Sequence, residues 1–199
     1  MEVEQGAQGV PAVVQKGRRL DEPARDTGPD IPAGELGLEM GILFPFEALG
    51  GWDVRPRVTR WLVKPATFMN DSGHALRALL DFHQAAVSDL IVAYDDLTID
   101  TGLVKVSVSG SAGGHNGVAS LLAHVGDGFI RYRLGINTPR PAEMDLKDFV
   151  LGKFSPEQTQ IIDQKLNTFV DGLRLLINRG PAEAMNQLNR RDHHDPDQA

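Results

Sequence analysis

The sequence contains no cysteine among its 199 residues. Disulfide bonds, thiolate catalysis and zinc or iron–sulfur sites with cysteine ligands are therefore excluded. It also has no apolar run near the roughly 20 residues that a membrane-spanning helix needs, and no charged leader followed by the apolar region of a secretory signal. We therefore expect a protein of the reducing cytoplasm with no membrane partner.

Positive charge is also scarce, because 20 lysines and arginines face 27 aspartates and glutamates, a formal net charge of −7. This balance argues against a protein that coats nucleic acid by bulk electrostatics alone, although a local basic groove on an acidic body remains compatible with it. The chain also lacks the Gly-x-Ser-x-Gly motif of α/β esterases. The remaining motifs must therefore indicate the function.

The chain divides into three parts by composition. Residues 1–34 show neither helical nor strand periodicity and are rich in glycine and proline, which favours a disordered or non-native segment. Residues 35–190 have the apolar patterning of one folded domain. Residues 191–199 form a polar tail.

Strands and helices alternate within the central part. Apolar runs predict strands over 59–63, 89–94, 103–109 and 131–136. Helical periodicity and capping signals predict helices over 72–83, 117–124, 156–179 and 181–189. This alternation indicates a single α/β domain.

The segment Ser109-Gly-Ser-Ala-Gly-Gly-His-Asn-Gly117 joins a predicted strand to a predicted helix. It fits neither the Walker loop nor the dinucleotide loop, because its glycines have the wrong spacing and no lysine follows. Four glycines favour a flexible loop that presents His115 and Asn116 at the start of the helix. The alternative is an ordinary turn in which Asn116 is a helix N-cap.

Two carboxylates, Asp95 and Asp96, follow a buried strand. Ligand sites in open α/β sheets lie beyond such strand ends, and adjacent residues of an extended segment point to opposite sides. One of the two carboxylates is therefore expected in the crevice, where it orients a histidine, binds a metal or caps a turn.

The segment 67–70 lies between a strand and a helix. An exposed Phe68 there offers a stacking face to a base or ribose, and Asn70 offers both a donor and an acceptor. The alternative is that Phe68 and Met69 belong to the core and that Asn70 caps the helix.

Five ordered segments together resemble the bacterial-type peptidyl-tRNA hydrolase family over residues 35–189. They are Lys64-Pro-Ala-Thr-Phe-Met-Asn-Asp-Ser-Gly73, Ala93-Tyr-Asp-Asp-Leu97, Gly113-Gly-His-Asn-Gly117, Arg131-Tyr-Arg-Leu-Gly135 and Phe149-Val-Leu-Gly-Lys153. The resemblance implies a twisted mixed sheet with helices on both faces. It also implies hydrolysis, without metal or cofactor, of the ester that joins a peptide to the ribose at the 3′ end of tRNA. A monomer that contacts this 3′ end and the acceptor stem is expected.

The resemblance also implies roles for individual residues. Asp95 corresponds to the aspartate that holds the catalytic histidine in its basic form. Substrate-cleft positions correspond to Phe68, Met69, Asn70, His115 and Asn116. Positions that meet the tRNA backbone correspond to Lys105, Arg131 and Arg133, and cations suit such phosphate contacts.

The chain departs from the family at its N-terminal end. The family begins with a strand, then Gly-x-Gly-Asn-Pro-Gly and, about ten residues later, a Thr-Arg-His-Asn motif whose histidine is the catalytic base. This sequence contains neither motif, and its first histidine is His74. We therefore expect the sheet to lack its first strand and hydrolysis by this chain to be impaired.

Three explanations compete for this departure. The first in rank is that residues 1–34 come from a reading-frame or start error, and the second is that the chain is a noncatalytic RNA-binding relative on the same fold. The third is that His115 serves as a substitute base with Asp95. Amide N–H groups beside the ester suit the stabilisation of the oxyanion that forms during hydrolysis.

Overall fold

The computed structural model describes residues 12–16, 41–43, 48–55, 58–138 and 154–190, with side chains described over 60–138 and 154–190. Most of the predicted N-terminal segment 1–34, the predicted tail 191–199 and the family-like segment 149–153 lie outside these residues. Within the described part, no helix is both long and apolar enough to cross a membrane.

Seven strands and four α-helices are described. The strands are β1 Ala12–Lys16, β2 Gly41–Leu43, β3 Ala48–Arg55, β4 Val58–Pro65, β5 Leu90–Asp100, β6 Val104–Ser107 and β7 Ile130–Asn137. The helices are α1 Ser72–His83, α2 Asn116–His124, α3 Pro156–Arg179 and α4 Pro181–Leu188. Short 3₁₀ turns at Met69–Asp71 and Val87–Asp89 precede α1 and β5.

The seven strands form one sheet in the order β2-β3-β4-β1-β5-β7-β6. β5 and β7 pair in parallel, whereas every other described pair is antiparallel. The prediction of a single α/β domain with a mixed sheet is therefore confirmed.

The expectation that the sheet lacks its first strand is wrong, because β1 lies within residues 1–34. β1 lies between β4 and β5 and pairs antiparallel with both of them. The run Ala-Val-Val at positions 12–14 contains two β-branched residues, which suit an extended conformation. Hydrogen bonding to neighbours on both sides satisfies the backbone there. The surrounding glycines and prolines concealed this five-residue strand in the sequence.

Helices cover both faces of the sheet, because alternate residues of β5 point in opposite directions. Leu90, Val92 and Tyr94 pack in one apolar cluster with α1 and α2. Ile91 packs in a second cluster with Leu176 of α3 and residues of α4. The predicted burial of β5 on both faces is thus confirmed.

The helix boundaries follow the predicted capping residues in only some cases. Ser155 and Gln158 form the predicted reciprocal capping box at the start of α3. At α1 the N-cap residue is Asp71, but its side chain makes no capping hydrogen bond. The start of α2 is capped by His115, not by Asn116.

Candidate functional site

A cleft of about 730 Å³ opens above β5, β6 and β7 beside the loop that precedes α2. Its lining comprises Met69, Tyr94, Asp95, Asp96, Leu97, Thr98, Ser107, residues 109–116, Arg131 and Arg133. The fold therefore brings together two polar segments, 95–96 and 115–116, that are twenty residues apart in sequence.

Asp95 and His115 form the centre of this cleft. The Nε2 atom of His115 lies 3.3 Å from Oδ1 of Asp95, and the imidazole also meets the Tyr94 ring edge-on at 5.2 Å between ring centroids. The hydrogen bond from His115 lowers the pKa of Asp95 and outweighs the opposing effect of burial. Asp95 is therefore a carboxylate at neutral pH.

The other nitrogen of His115 caps α2. Its Nδ1 atom accepts hydrogen bonds from the backbone N–H groups of Gly117, at 3.1 Å, and Val118, at 3.3 Å. An accepting Nδ1 has no proton, so in the neutral ring the proton is on Nε2 and points to Asp95. Both nitrogens are thus engaged, and neither offers a free lone pair to a water molecule.

Asp96 holds a second network on the rim. Its Oδ1 accepts from the backbone N–H and hydroxyl of Thr98 at 2.7 and 2.6 Å, and its Oδ2 accepts from Nε of Arg133 at 2.8 Å. Burial raises the pKa of Asp96, but the hydrogen bonds from Thr98 and Arg133 exceed this effect and lower it overall.

The prediction that β5 ends before Asp95 is wrong, since β5 continues to Asp100 with an irregular register after Asp96.

The two arginines of β7 occupy different environments. Arg133 is part exposed beside Asp96 and stands opposite Lys105 across the β6–β7 pair. Arg131, in contrast, is only 1% exposed, and its guanidinium donates to the backbone carbonyls of Gly110 and Ser111. This buried position differs from the surface position that the predicted tRNA contact requires.

The predicted stacking segment reaches the cleft through Met69. Met69 lines the cleft and also packs against the core, whereas Phe68 is 64% exposed and Asn70 is exposed just outside the lining. The alternative in which Phe68 is a core residue is therefore wrong. Asn116 is exposed within the cleft, so its amide is accessible.

Sequence reasoning missed Thr98 and the anchoring role of Arg131. The hydroxyl of Thr98 links Asp96 to Arg133. It donates to the Asp96 carboxylate and accepts from a guanidinium nitrogen of Arg133 at 3.1 Å. Thr98 could have been found from the alternation of an extended segment, which puts residues two apart, such as Asp96 and Thr98, on a common side. No local signal pairs an arginine with loop carbonyls about twenty residues away.

We expect His115→Asn to move the pKa of Asp95 upward, because the substitution removes the imidazole that lowers it. A depressed carboxyl pKa stabilises the fold above the unfolded-state value of about 3.9, and this stabilisation is lost as the pH falls through the folded-state pKa. Carboxyl NMR titration of Asp95 provides the measurement. His124→Asn is the control, and an unmoved Asp95 pKa in His115→Asn contradicts the assignment.

Comparison with known proteins identifies the family of this chain. The family model for peptidyl-tRNA hydrolase matches residues 46–196. A peptidyl-tRNA hydrolase from Anaeromyxobacter sp. (strain K) is 45% identical over 132 residues, which cover 66% of this chain and 68% of that protein. One from Lachnoclostridium phytofermentans is 37% identical over 66% of this chain and 69% of its own.

Solved structures show the same fold. The crystal structure of peptidyl-tRNA hydrolase from Acinetobacter baumannii superposes with a TM-score of 0.68 and 29% identity, covering 77% of this chain and 78% of that chain. The sequence match and the shared fold agree with one another. The chain belongs to the peptidyl-tRNA hydrolase family.

Proposed function

We propose that this chain binds peptidyl-tRNA and hydrolyses the ester between its peptide and the tRNA, at a reduced rate. The observation that carries the proposal is the cleft in which Asp95, His115 and Asn116 converge next to Met69. Family membership supports the same substrate. The 3′ end of the tRNA occupies the cleft in this proposal, and the acceptor stem lies along the rim.

The side chains in and beside the cleft that suit tRNA binding divide into two sets. Asn70 and Asn116 carry amides that can orient the ester and stabilise an oxyanion, while the exposed ring of Phe68 can stack on a base. Lys105 and Arg133 are adjacent cations across two strands and suit phosphate contacts. Buried Arg131 is not assigned a tRNA contact.

The reduced rate follows from the hydrogen bonds of His115. General-base hydrolysis of an ester requires a lone pair directed at water. Among the described residues His115 is the one histidine that lines the cleft, and its Nδ1 lone pair already accepts from two backbone N–H groups. We therefore do not assign His115 as the base, and the slow hydrolysis rests on the amides of Asn70 and Asn116, which stabilise the oxyanion.

The same observation favours a second candidate function, a noncatalytic RNA-binding protein. A cleft that retains its amides and rim cations but has no available base binds the 3′ end without cleaving it. Asp95 then stabilises the fold by accepting from His115, with no part in a proton transfer.

An assay with N-acetyl-aminoacyl-tRNA distinguishes the two candidates. The wild-type chain is incubated in excess over the labelled substrate, and both ester cleavage and the Kd for uncharged tRNA are measured. Slow cleavage with tight binding supports the hydrolase proposal. Binding with no cleavage above the buffer rate supports the noncatalytic candidate, and absence of binding contradicts both.

The proposal also covers the localisation, the oligomeric state and the metal and cofactor requirement of the chain. We propose a cytoplasmic monomer that needs no metal or cofactor. Among the described residues, no group of three or more histidines and carboxylates is arranged to hold a metal ion. Unchanged turnover after EDTA treatment and the mass of one chain in sedimentation equilibrium are the expected results. A loss of activity with EDTA that is restored by a divalent cation contradicts the proposal.

A further inference from the structure

Three sets of hydrogen bonds order the loop at residues 109–116. In the first set, a guanidinium nitrogen of Arg131 donates to the carbonyl of Ser111 at 2.8 Å, and the other terminal nitrogen donates to the carbonyl of Gly110. One buried side chain thus holds two consecutive peptide groups. The planar guanidinium suits this arrangement because it presents several N–H donors in a fixed geometry.

The second and third sets lie at the end of the loop, and the second is internal to it. The His115 backbone N–H donates to the carbonyl of Ala112 at 2.9 Å, which closes a tight turn whose central residues Gly113 and Gly114 have φ of +56° and +86°. Both values lie in the left-handed region that glycine adopts readily. The imidazole of His115 then caps α2. Hydrogen bonds therefore order the loop that the sequence predicted to be flexible.

Arg131 also contacts an aromatic ring and a carboxylate. Its guanidinium carbon lies 4.7 Å from the centre of the Phe129 ring, and a terminal nitrogen lies 3.3 Å from a carboxylate oxygen of Asp127. Its Nε atom is buried and has no hydrogen-bond partner among the described residues. Burying a charge is costly unless it is paired and hydrogen-bonded. The loop carbonyls and Asp127 provide this compensation, so the loop and the arginine hold each other in place.

We propose that Arg131 is a positioning residue that orders the loop at 109–116 before substrate binds. The inference rests on the proposed function, because the loop carries Asn116 and forms one wall of the cleft. An ordered loop binds more tightly than a mobile one, since its conformational entropy is lost on folding instead of on binding. Arg131 acts through the loop and does not contact tRNA.

Amide hydrogen exchange measures the order of the loop without any need for activity. The relevant amides are those of His115, Gly117 and Val118, which are hydrogen-bonded within the turn and the cap. We expect Arg131→Lys to accelerate their exchange about tenfold or more, the effect of losing one charged hydrogen bond. Exchange of the β5 amides is expected to stay within about twofold, because the sheet is unchanged.

Two further variants keep the test informative. Arg174→Lys makes the same change at an exposed arginine of α3 that pairs with Asp171, and it should leave the loop amides unchanged. Asp127→Asn removes only the carboxylate partner of Arg131 and retains both loop carbonyls. We expect it to accelerate exchange less than Arg131→Lys does.

Binding to uncharged tRNA connects the loop to the substrate. We expect Arg131→Lys to raise the Kd about tenfold, in proportion to the loss of loop order. Loop amides in Arg131→Lys that exchange at the wild-type rate overturn the proposal, as does equal acceleration in β5. Faster exchange of the loop amides with an unchanged Kd for tRNA overturns the claim that loop order strengthens tRNA binding. If the wild-type chain binds no tRNA, the proposed function fails, while the exchange data still decide whether Arg131 orders the loop.

Discussion

Gly135→Ala is expected to lower the free energy of unfolding by about 4 kcal/mol or more, at the extreme of single substitutions. A Cβ atom at this position would lie 2.1 Å from the carbonyl oxygen of Asp100 and 2.7 Å from that of Ile99. Both oxygens belong to backbone, so no side-chain rotation relieves the overlap. Chemical denaturation monitored by circular dichroism measures the effect.

The same close contact lies beside the irregular part of β5, next to the cleft residues Asp96 and Thr98. Gly135 pairs with Asp96 in the parallel β5–β7 pair, and the register becomes irregular between Asp96 and Asp100. The approach of the two backbones thus accompanies the irregular segment that carries Thr98. Any variant of Gly135 that folds is therefore expected to disturb the Asp96–Arg133 network.

Gly126→Ala is the matched control for this prediction. Gly126 has φ of +89°, but an added Cβ would have no atom within 4 Å. Its substitution introduces backbone strain without overlap, at a cost of about 1–3 kcal/mol. Equal losses in Gly126→Ala and Gly135→Ala would contradict the steric explanation.

The double variant Lys105→Gln/Arg133→Gln is expected to raise the Kd for tRNA about 100-fold. The two residues are directly opposite in the β6–β7 pair, so their side chains share a face. Each lost phosphate contact weakens binding about tenfold when the contact is a charged hydrogen bond. The dependence of log Kd on log salt is expected to fall by about one unit for each contact.

The change in salt dependence separates a phosphate contact from indirect effects on folding. Arg174→Gln removes an exposed arginine that does not line the cleft, and it is expected to change the Kd by less than about twofold. A weaker affinity in the double variant with an unchanged salt slope would contradict phosphate binding at these positions.

Much of the fold could be predicted because its signals are local. The burial of β5 follows from its apolar run, and the start of α3 follows from Ser155 and Gln158. β1 could not be predicted in the same way. Its only local signal is two β-branched residues among glycines and prolines, and its place in the sheet depends on pairing with β4 and β5, which are distant in sequence.

The sequence predicted which residues belong to the candidate site but not what each of them does there. Local motifs indicated Asp95, His115 and Asn116, and the structure brings them into one cleft. The roles of His115 and Arg131 depend on which backbone groups their nitrogens meet after folding. A sequence shows that a cation or an imidazole is present, but its protonation, burial and partners arise from long-range packing.

The most direct test of the account replaces His115 by asparagine and measures single-turnover cleavage of N-acetyl-aminoacyl-tRNA. Asparagine is a favourable N-cap residue, so it retains an acceptor for the Gly117 and Val118 N–H groups while it removes the imidazole. Because His115 caps α2 and is not the base in the proposed function, we expect a cleavage rate within about twofold of the wild-type rate. A fall of about 100-fold with unchanged tRNA affinity, the effect of losing a general base, would contradict it.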